Sequence, residues 1–171
     1  NMEKIKIYFL KSLKKLKLWE YFNFVFSKKI NSVEVKIPIR GNVGLTNMQL
    51  QQNWLDLLIK IFSLKDNLST FVDVGVNIGQ TLLRLKTIYP EIDYLGFEPN
   101  STCTAYVQKL IAINKFKNCT VQNVALSTEI GTLQLEKDSD TDSRASLIHN
   151  LRPDFFPLKK AFLHWIIKVF I

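Results

Sequence analysis

The chain has 171 residues, 47% of them hydrophobic, enough to bury the core of one domain of moderate size. Its net charge of +8 is uneven: residues 1–40 carry ten basic and three acidic side chains, residues 41–171 carry 13 and 12. A body so nearly neutral excludes a nucleic-acid groove running across the whole protein. The only cysteines, Cys103 and Cys119, form no CxxC pattern. That excludes a soft-ligand metal centre and a disulfide framework, and suits buried thiols in a reducing, cytoplasmic compartment.

Residues 4–29 mix lysines with large apolar side chains. Leu10, Leu13 and Leu16, with Trp19 and Phe22, recur near helical spacing, and Lys11, Lys14, Lys15 and Lys17 fill the gaps. The pattern predicts a basic amphipathic helix. Its charges are too frequent for a membrane span, and it lacks the uninterrupted apolar centre of a signal peptide. Two roles stay open: a helix docked on the body with a solvated lysine face, or peripheral contact with an anionic membrane surface. Residues 1–32 therefore read as an N-terminal segment and residues 33–171 as the main domain.

The alternating run Val33–Arg40 predicts a strand, with Pro38 suiting an edge, and Gly41 and Gly44 mark a turn. Residues 48–62 predict a helix with an apolar stripe of Leu50, Trp54, Leu57, Leu58 and Ile61, broken at Asp66 and Asn67. From Thr70 the elements alternate. Strands are expected at 70–74, 94–97, 120–126 and, past a turn at Gly131, 132–136. One helix covers 80–89 and ends at Pro90. Another, capped by Asn100 or Ser101, runs through Asn114 with Tyr106, Val107, Leu110 and Ile113 inward. This order predicts an α/β fold: a mostly parallel, Rossmann-like sheet with helices on both faces and right-handed crossovers. The polar run 138–142 reads as a loop. The apolar stretch 161–171 is too short to span a bilayer and completes the core as a helix or strand.

In such a sheet, ligands bind beyond the carboxyl ends of the strands. Three segments converge there: Asp73 with the loop to Gly79, Gly96 to Asn100, and Asn123 to Ser127. Gly75 and Gly79 allow a sharp turn and a close backbone approach. The helix start near Gly79 offers N–H donors and a positive dipole end. Asp73 can receive an ammonium or an ordered water. Glu98, at the next strand end, can accept from both hydroxyls of a ribose. A glycine loop with an acid on the neighbouring strand points to a nucleoside-containing cofactor. The pattern DxGxNxG differs from the dinucleotide GxGxxG, because Asn77 occupies the middle and Asp73 would repel a pyrophosphate. A cofactor with an amino group and no phosphate fits better, and S-adenosylmethionine is one.

The segments "FVDVGVNIGQT", "LGFEPN" and "VQNVALSTEIGTLQL", in this order and at these separations, resemble three consecutive motifs of the FkbM-type methyltransferases, a class I S-adenosylmethionine-dependent family. The resemblance covers about residues 70–136, with the cofactor half at 66–137. It implies a Rossmann-like methyltransferase fold and O-methylation of a sugar or other small-molecule hydroxyl. By motif, Asp73, Gly75 and Gly79 line the methionine end, with Asn77 in the same loop. Glu98 holds the ribose, Pro99 and Asn100 border the adenosine, and Asn123 and Ala125 lie near the adenine. No metal and no nucleic-acid partner is implied.

The family pattern continues past the Gly131 turn with a further strand carrying an acidic segment, which has no counterpart here. The chain thus reads as lacking a C-terminal half or as an abbreviated fold. A non-catalytic S-adenosylmethionine-binding remnant is the alternative to an O-methyltransferase, and an NAD-binding oxidoreductase a more distant one. His149 and His164 are the only histidines. A surface position for the first and a packed one for the second are expected, so no catalytic residue is assigned.

Overall fold

The computed structural model describes residues 21, 23–49, 53–63, 69–127 and 168–170. The lysine-rich residues 4–20, the expected strand 132–136, the polar run 138–142 and both histidines lie outside the described residues.

The first element corrects the sequence reading. Residues 23–29, expected as the end of a helix, belong to strand β1 (Asn23–Ile30). Exposure alternates along it, with Phe24, Phe26, Lys28 and Ile30 toward the body and Asn23, Val25, Ser27 and Lys29 outward. That period of two competes with the helical spacing, and a partner strand decides between them. The partner is β2 (Val33–Arg40), paired antiparallel from Ile30↔Val33 to Asn23↔Arg40. Asn31 and Ser32 join them with positive φ of 49° and 68°, the signature of a tight two-residue hairpin. The boundary expected at residue 32 falls inside this turn, so the two strands form one unit. Val35, Ile37 and Ile39 of β2 are fully buried.

The single helix expected over 48–62 is two: α1 (Leu45–Gln49) and α2 (Asn53–Ser63). In α2 the buried residues are Leu55 and Ile59, and the stripe Trp54, Leu57, Leu58 and Ile61 faces outward. Both faces of α2 carry apolar residues, so periodicity alone did not define the inward one. Asp56 decides the matter, because its carboxylate meets Arg84 at 2.6 Å beneath the helix, with both side chains largely buried.

The alternating body follows: β3 (Thr70–Val74), α3 (Gln80–Ile88), β4 (Asp93–Phe97), α4 (Ser101–Asn114) and β5 (Cys119–Gln122). β3, β4 and β5 are parallel, with Asp73 opposite Gly96 and Gly96 opposite Val121. A fourth strand, β6 (Lys168–Phe170), pairs antiparallel with β3, giving the order β5-β4-β3-β6. Part of the apolar stretch 161–171 is therefore strand. Both crossovers step the same way along the sheet, so right-handed connections put α3 and α4 on one face. Phe71 and Tyr94 stack beneath them, ring centroids 6.1 Å apart. The face bearing Val72, Val74, Leu95 and Phe97 is half-buried among the described residues.

Helix α3 is the centre of the packing. Residues 81–87 are all buried, because sheet, α2 and hairpin enclose the helix. Leu82, Leu83 and Leu85 are wholly buried, each contributing about 1.5–3 kcal/mol. Lys86 is buried too, and its Nζ donates to the carbonyls of Pro90, Ile92 and Lys117. Three acceptors match the three N–H bonds of an ammonium, so its charge is solvated by backbone.

Candidate functional site

The loop after β3 is bent at alternate residues. Gly75, Asn77 and Gly79 have φ of 77°, 50° and 75°. The left-handed region costs most side chains about 1–2 kcal/mol, and Asn tolerates it best after Gly. That explains Asn77 at the middle of the motif. The two glycines differ in surroundings. A Cβ on Gly79 would stand 3.1 Å from Leu110 and 3.3 Å from Val107, so Gly79 lets α4 approach the start of α3. A Cβ on Gly75 would meet nothing within 4 Å, and Gly75 is exposed. Gly75 is therefore the position where backbone is open to a ligand.

The loop is fastened to the end of β4. The amides of Gly75 and Val76 donate to the Phe97 carbonyl at 2.9 and 3.3 Å, and the Gly79 amide donates to Val76 O. The Asn77 amide donates to Glu98 Oε2 at 2.7 Å. The other oxygen of Glu98 accepts from the Asn100 amide at 2.9 Å. One carboxylate thus joins the glycine loop to the β4–α4 loop. Burial raises the Glu98 pKa, and the two amide donors offset part of that rise. Among the described residues each oxygen accepts one bond, and a carboxylate has about four acceptor sites, so acceptor capacity is left for a ligand.

Around this centre the expected residues take different parts. Asn100 caps α4, its side chain accepting from the Thr102 amide at 3.1 Å. Pro99 is half-buried beside it. Asn123, at the end of β5, donates through Nδ2 to the carbonyls of Glu98 and Pro99 at 2.8 and 2.9 Å, and to Thr104 Oγ1. β5 ends at Gln122, short of the expected residue 126, and Ala125 lies exposed in the segment beyond. The structure thus gathers Gly75, Asn77, Glu98, Pro99, Asn100 and Asn123 at one rim, and Ala125 follows Asn123 by two residues along the chain.

Asp73 differs from expectation. It lies at the same end of the sheet as Glu98, but its side chain is wholly buried on the helix-covered face. Its Oδ2 accepts from Tyr94 Oη at 2.7 Å. Alternation along β3 explains this: Asp73 shares a face with Phe71, and the turn that opens the rim begins two residues later. Burial and the Asp73 carboxylate hold the Tyr94 phenol well above its ordinary pKa, so it stays protonated. Tyr94 was legible only as a strand residue. Its even spacing from Gly96, on the Asp73 face, was the available signal. Gly96 has a packing reason, since a Cβ there would lie 2.6 Å from Val76.

Together the elements define a Rossmann-like α/β fold with its loops meeting beyond the carboxyl ends of the parallel strands. No family model matches the sequence and no curated protein matches it, so the FkbM resemblance rests on the three motifs alone. Two solved structures are similar in part. A Staphylococcus aureus protein described as a caffeoyl-CoA O-methyltransferase is 22% identical over 43% of this chain and 35% of its own, with a TM-score of 0.38. A Pyrococcus abyssi tRNA (uracil-54, C5)-methyltransferase, in complex with S-adenosyl-L-homocysteine, is 16% identical over 64% of this chain and 26% of its own, with a TM-score of 0.43. The chain spans about a third and a quarter of their respective lengths.

Proposed function

We propose that this chain binds S-adenosylmethionine and serves an FkbM-like O-methyltransferase acting on a sugar or other small-molecule hydroxyl. The observation that carries the reading is Glu98: its carboxylate sits directly on the glycine loop, beside an open Gly75. Phosphate-binding loops offer their amides to an anion. Here the amides of Gly75, Val76, Asn77 and Gly79 are engaged within the protein, one of them by an anion already in place. A pyrophosphate would face that anion and find those donors taken. A nucleoside without phosphate meets neither obstacle.

The residues present fit that group. Glu98 keeps acceptor capacity for the ribose hydroxyls, and Gly75 leaves backbone accessible to the amino-acid portion. Asn77 belongs to the same loop as Gly75; Pro99 and Asn100 border the adenosine, and Asn123 and Ala125 lie toward the adenine. Asp73 contributes from beneath through Tyr94, and Gly79 by allowing α4 to close on the loop. When bound, the cofactor supplies a methyl group activated on a sulfonium, and orientation of an acceptor oxygen accounts for most of the rate in such transfers.

Titration calorimetry with S-adenosylhomocysteine and with NAD tests the reading. Binding of the first and not the second is expected. Glu98→Ala should weaken that binding by about tenfold or more, the value of a charged hydrogen bond. Binding of NAD alone would overturn the proposal.

A further inference from the structure

Asn47, in α1, donates from its side chain to the glycine loop. It is wholly buried, and its Nδ2 donates to the Ile78 carbonyl at 2.7 Å. The same Nδ2 lies 3.4 Å from Tyr106 Oη, which in turn donates to the Pro38 carbonyl at 3.0 Å. Burial raises the Tyr106 phenol to about 12, so that donor persists at any physiological pH. Gly44 makes room for the arrangement, since a Cβ there would stand 2.3 Å from the Pro38 oxygen and 2.6 Å from Tyr106 Oη. A continuous hydrogen-bonded chain therefore links β2, α4, α1 and the loop.

The other atom of the amide separates this role from packing. Asn47 Oδ1 is buried and accepts no hydrogen bond among the described residues. An orphaned buried acceptor is costly, and an apolar side chain filling the same space would avoid that cost. Flipping the amide would set oxygen against the Ile78 carbonyl. The orientation is thus dictated by the need to hold that carbonyl. The Ile78–Gly79 peptide is pinned at both ends, its C=O by Asn47 and its N–H by Val76 O. Its neighbours Asn77 and Gly79 have positive φ, a conformation this peptide's orientation must match.

We infer that Asn47 is a positioning residue for the cofactor loop: it locks the Ile78–Gly79 peptide so that Gly75 and Asn77 are presented to the ligand already formed. This rests on the binding reading above, and the experiment separates the two. Asn47→Ala and Tyr106→Phe are compared with wild type by titration with S-adenosylhomocysteine, by thermal unfolding and by the ¹⁵N–¹H signals of Gly75 and Gly79 without ligand. Both variants lose a buried hydrogen bond, but only the first loses its hold on the loop. Asn47→Ala should weaken binding about tenfold and shift both glycine signals. Tyr106→Phe should lower the melting temperature comparably, leaving affinity within about twofold and the glycine signals in place. Equal loss of affinity in both variants would overturn the inference, as would unchanged glycine signals in Asn47→Ala. If wild type binds no S-adenosylhomocysteine, the cofactor reading falls, and the glycine signals alone uphold or overturn the clamp.

Discussion

Gly75 and Gly79 share a left-handed backbone but not a neighbourhood, and the difference is measurable. Gly75→Ala should cost about 1 kcal/mol of stability from φ alone, because its Cβ enters open space. Gly79→Ala should cost about 2–4 kcal/mol, because the methyl also presses on Leu110 and Val107. Urea unfolding of the two variants checks the order, and titration should show Gly75→Ala losing more affinity than its stability loss accounts for. Glu98 makes a pH-dependent prediction. Its folded pKa lies above the unfolded one, with burial the larger cause. Its contribution to stability is then full below the unfolded pKa and is lost as pH rises through the folded one. Glu98→Gln should flatten that dependence in denaturant midpoints measured across the window. Ligand affinity should move oppositely, falling as the carboxylate is protonated, since a carboxylic acid accepts fewer hydrogen bonds.

At the scale of the element, the hairpin and helix α3 carry the instructive cases. Ser32 holds a φ of 68° in a turn where glycine is the favoured residue. Ser32→Gly should therefore stabilise the protein by about 0.5–1 kcal/mol in urea unfolding, since relief of strain exceeds the added unfolded-state entropy. Lys86→Met keeps the length of the side chain and strands three carbonyls, that of Ile92 buried and those of Pro90 and Lys117 partly so. It should destabilise by about 3 kcal/mol or more. The starts of β4 and β5, which those carbonyls closely precede, should exchange amide hydrogens faster. Glu98 and Asn123 act at the opposite end of the same strands, so the rim should be little altered by the Lys86 change.

For the whole molecule, the outward stripe of α2 is the clearest test of which surfaces are spent. Leu57 is 60% exposed and Ile61 51% exposed. Replacing both with Lys should leave stability within about 0.5 kcal/mol per site and reduce self-association in light scattering. A loss of several kcal/mol would show that this face is covered. No helix among the described residues is long and apolar enough to cross a membrane.

The seam around Asp73–Gly79, the acid at Glu98 and the cap at Asn100 were legible because each depends on local chemistry: a strand's period, a glycine's φ, a side chain reaching an amide two residues on. The helices α3 and α4 followed from the same short-range rules. What local rules could not decide was direction. Residues 23–29 read as the end of a helix, and pairing with β2 makes them a strand instead. The apolar side chains of α2 could not name their inward face, which the buried Asp56–Arg84 pair selects. Asp73 was legible as an acid at a strand tip, but only the approach of Tyr94 from the next strand shows it turned inward. Asn47 lies 31 residues from the carbonyl it holds, and no spacing rule links the two. Sequence by itself determined the kinds of element in the alternating body from Thr70 to Gln122 and the chemistry at their ends, because those forces act within a few residues. Tertiary structure decided which faces and which oxygens meet, because burial is settled by what the rest of the chain brings into contact.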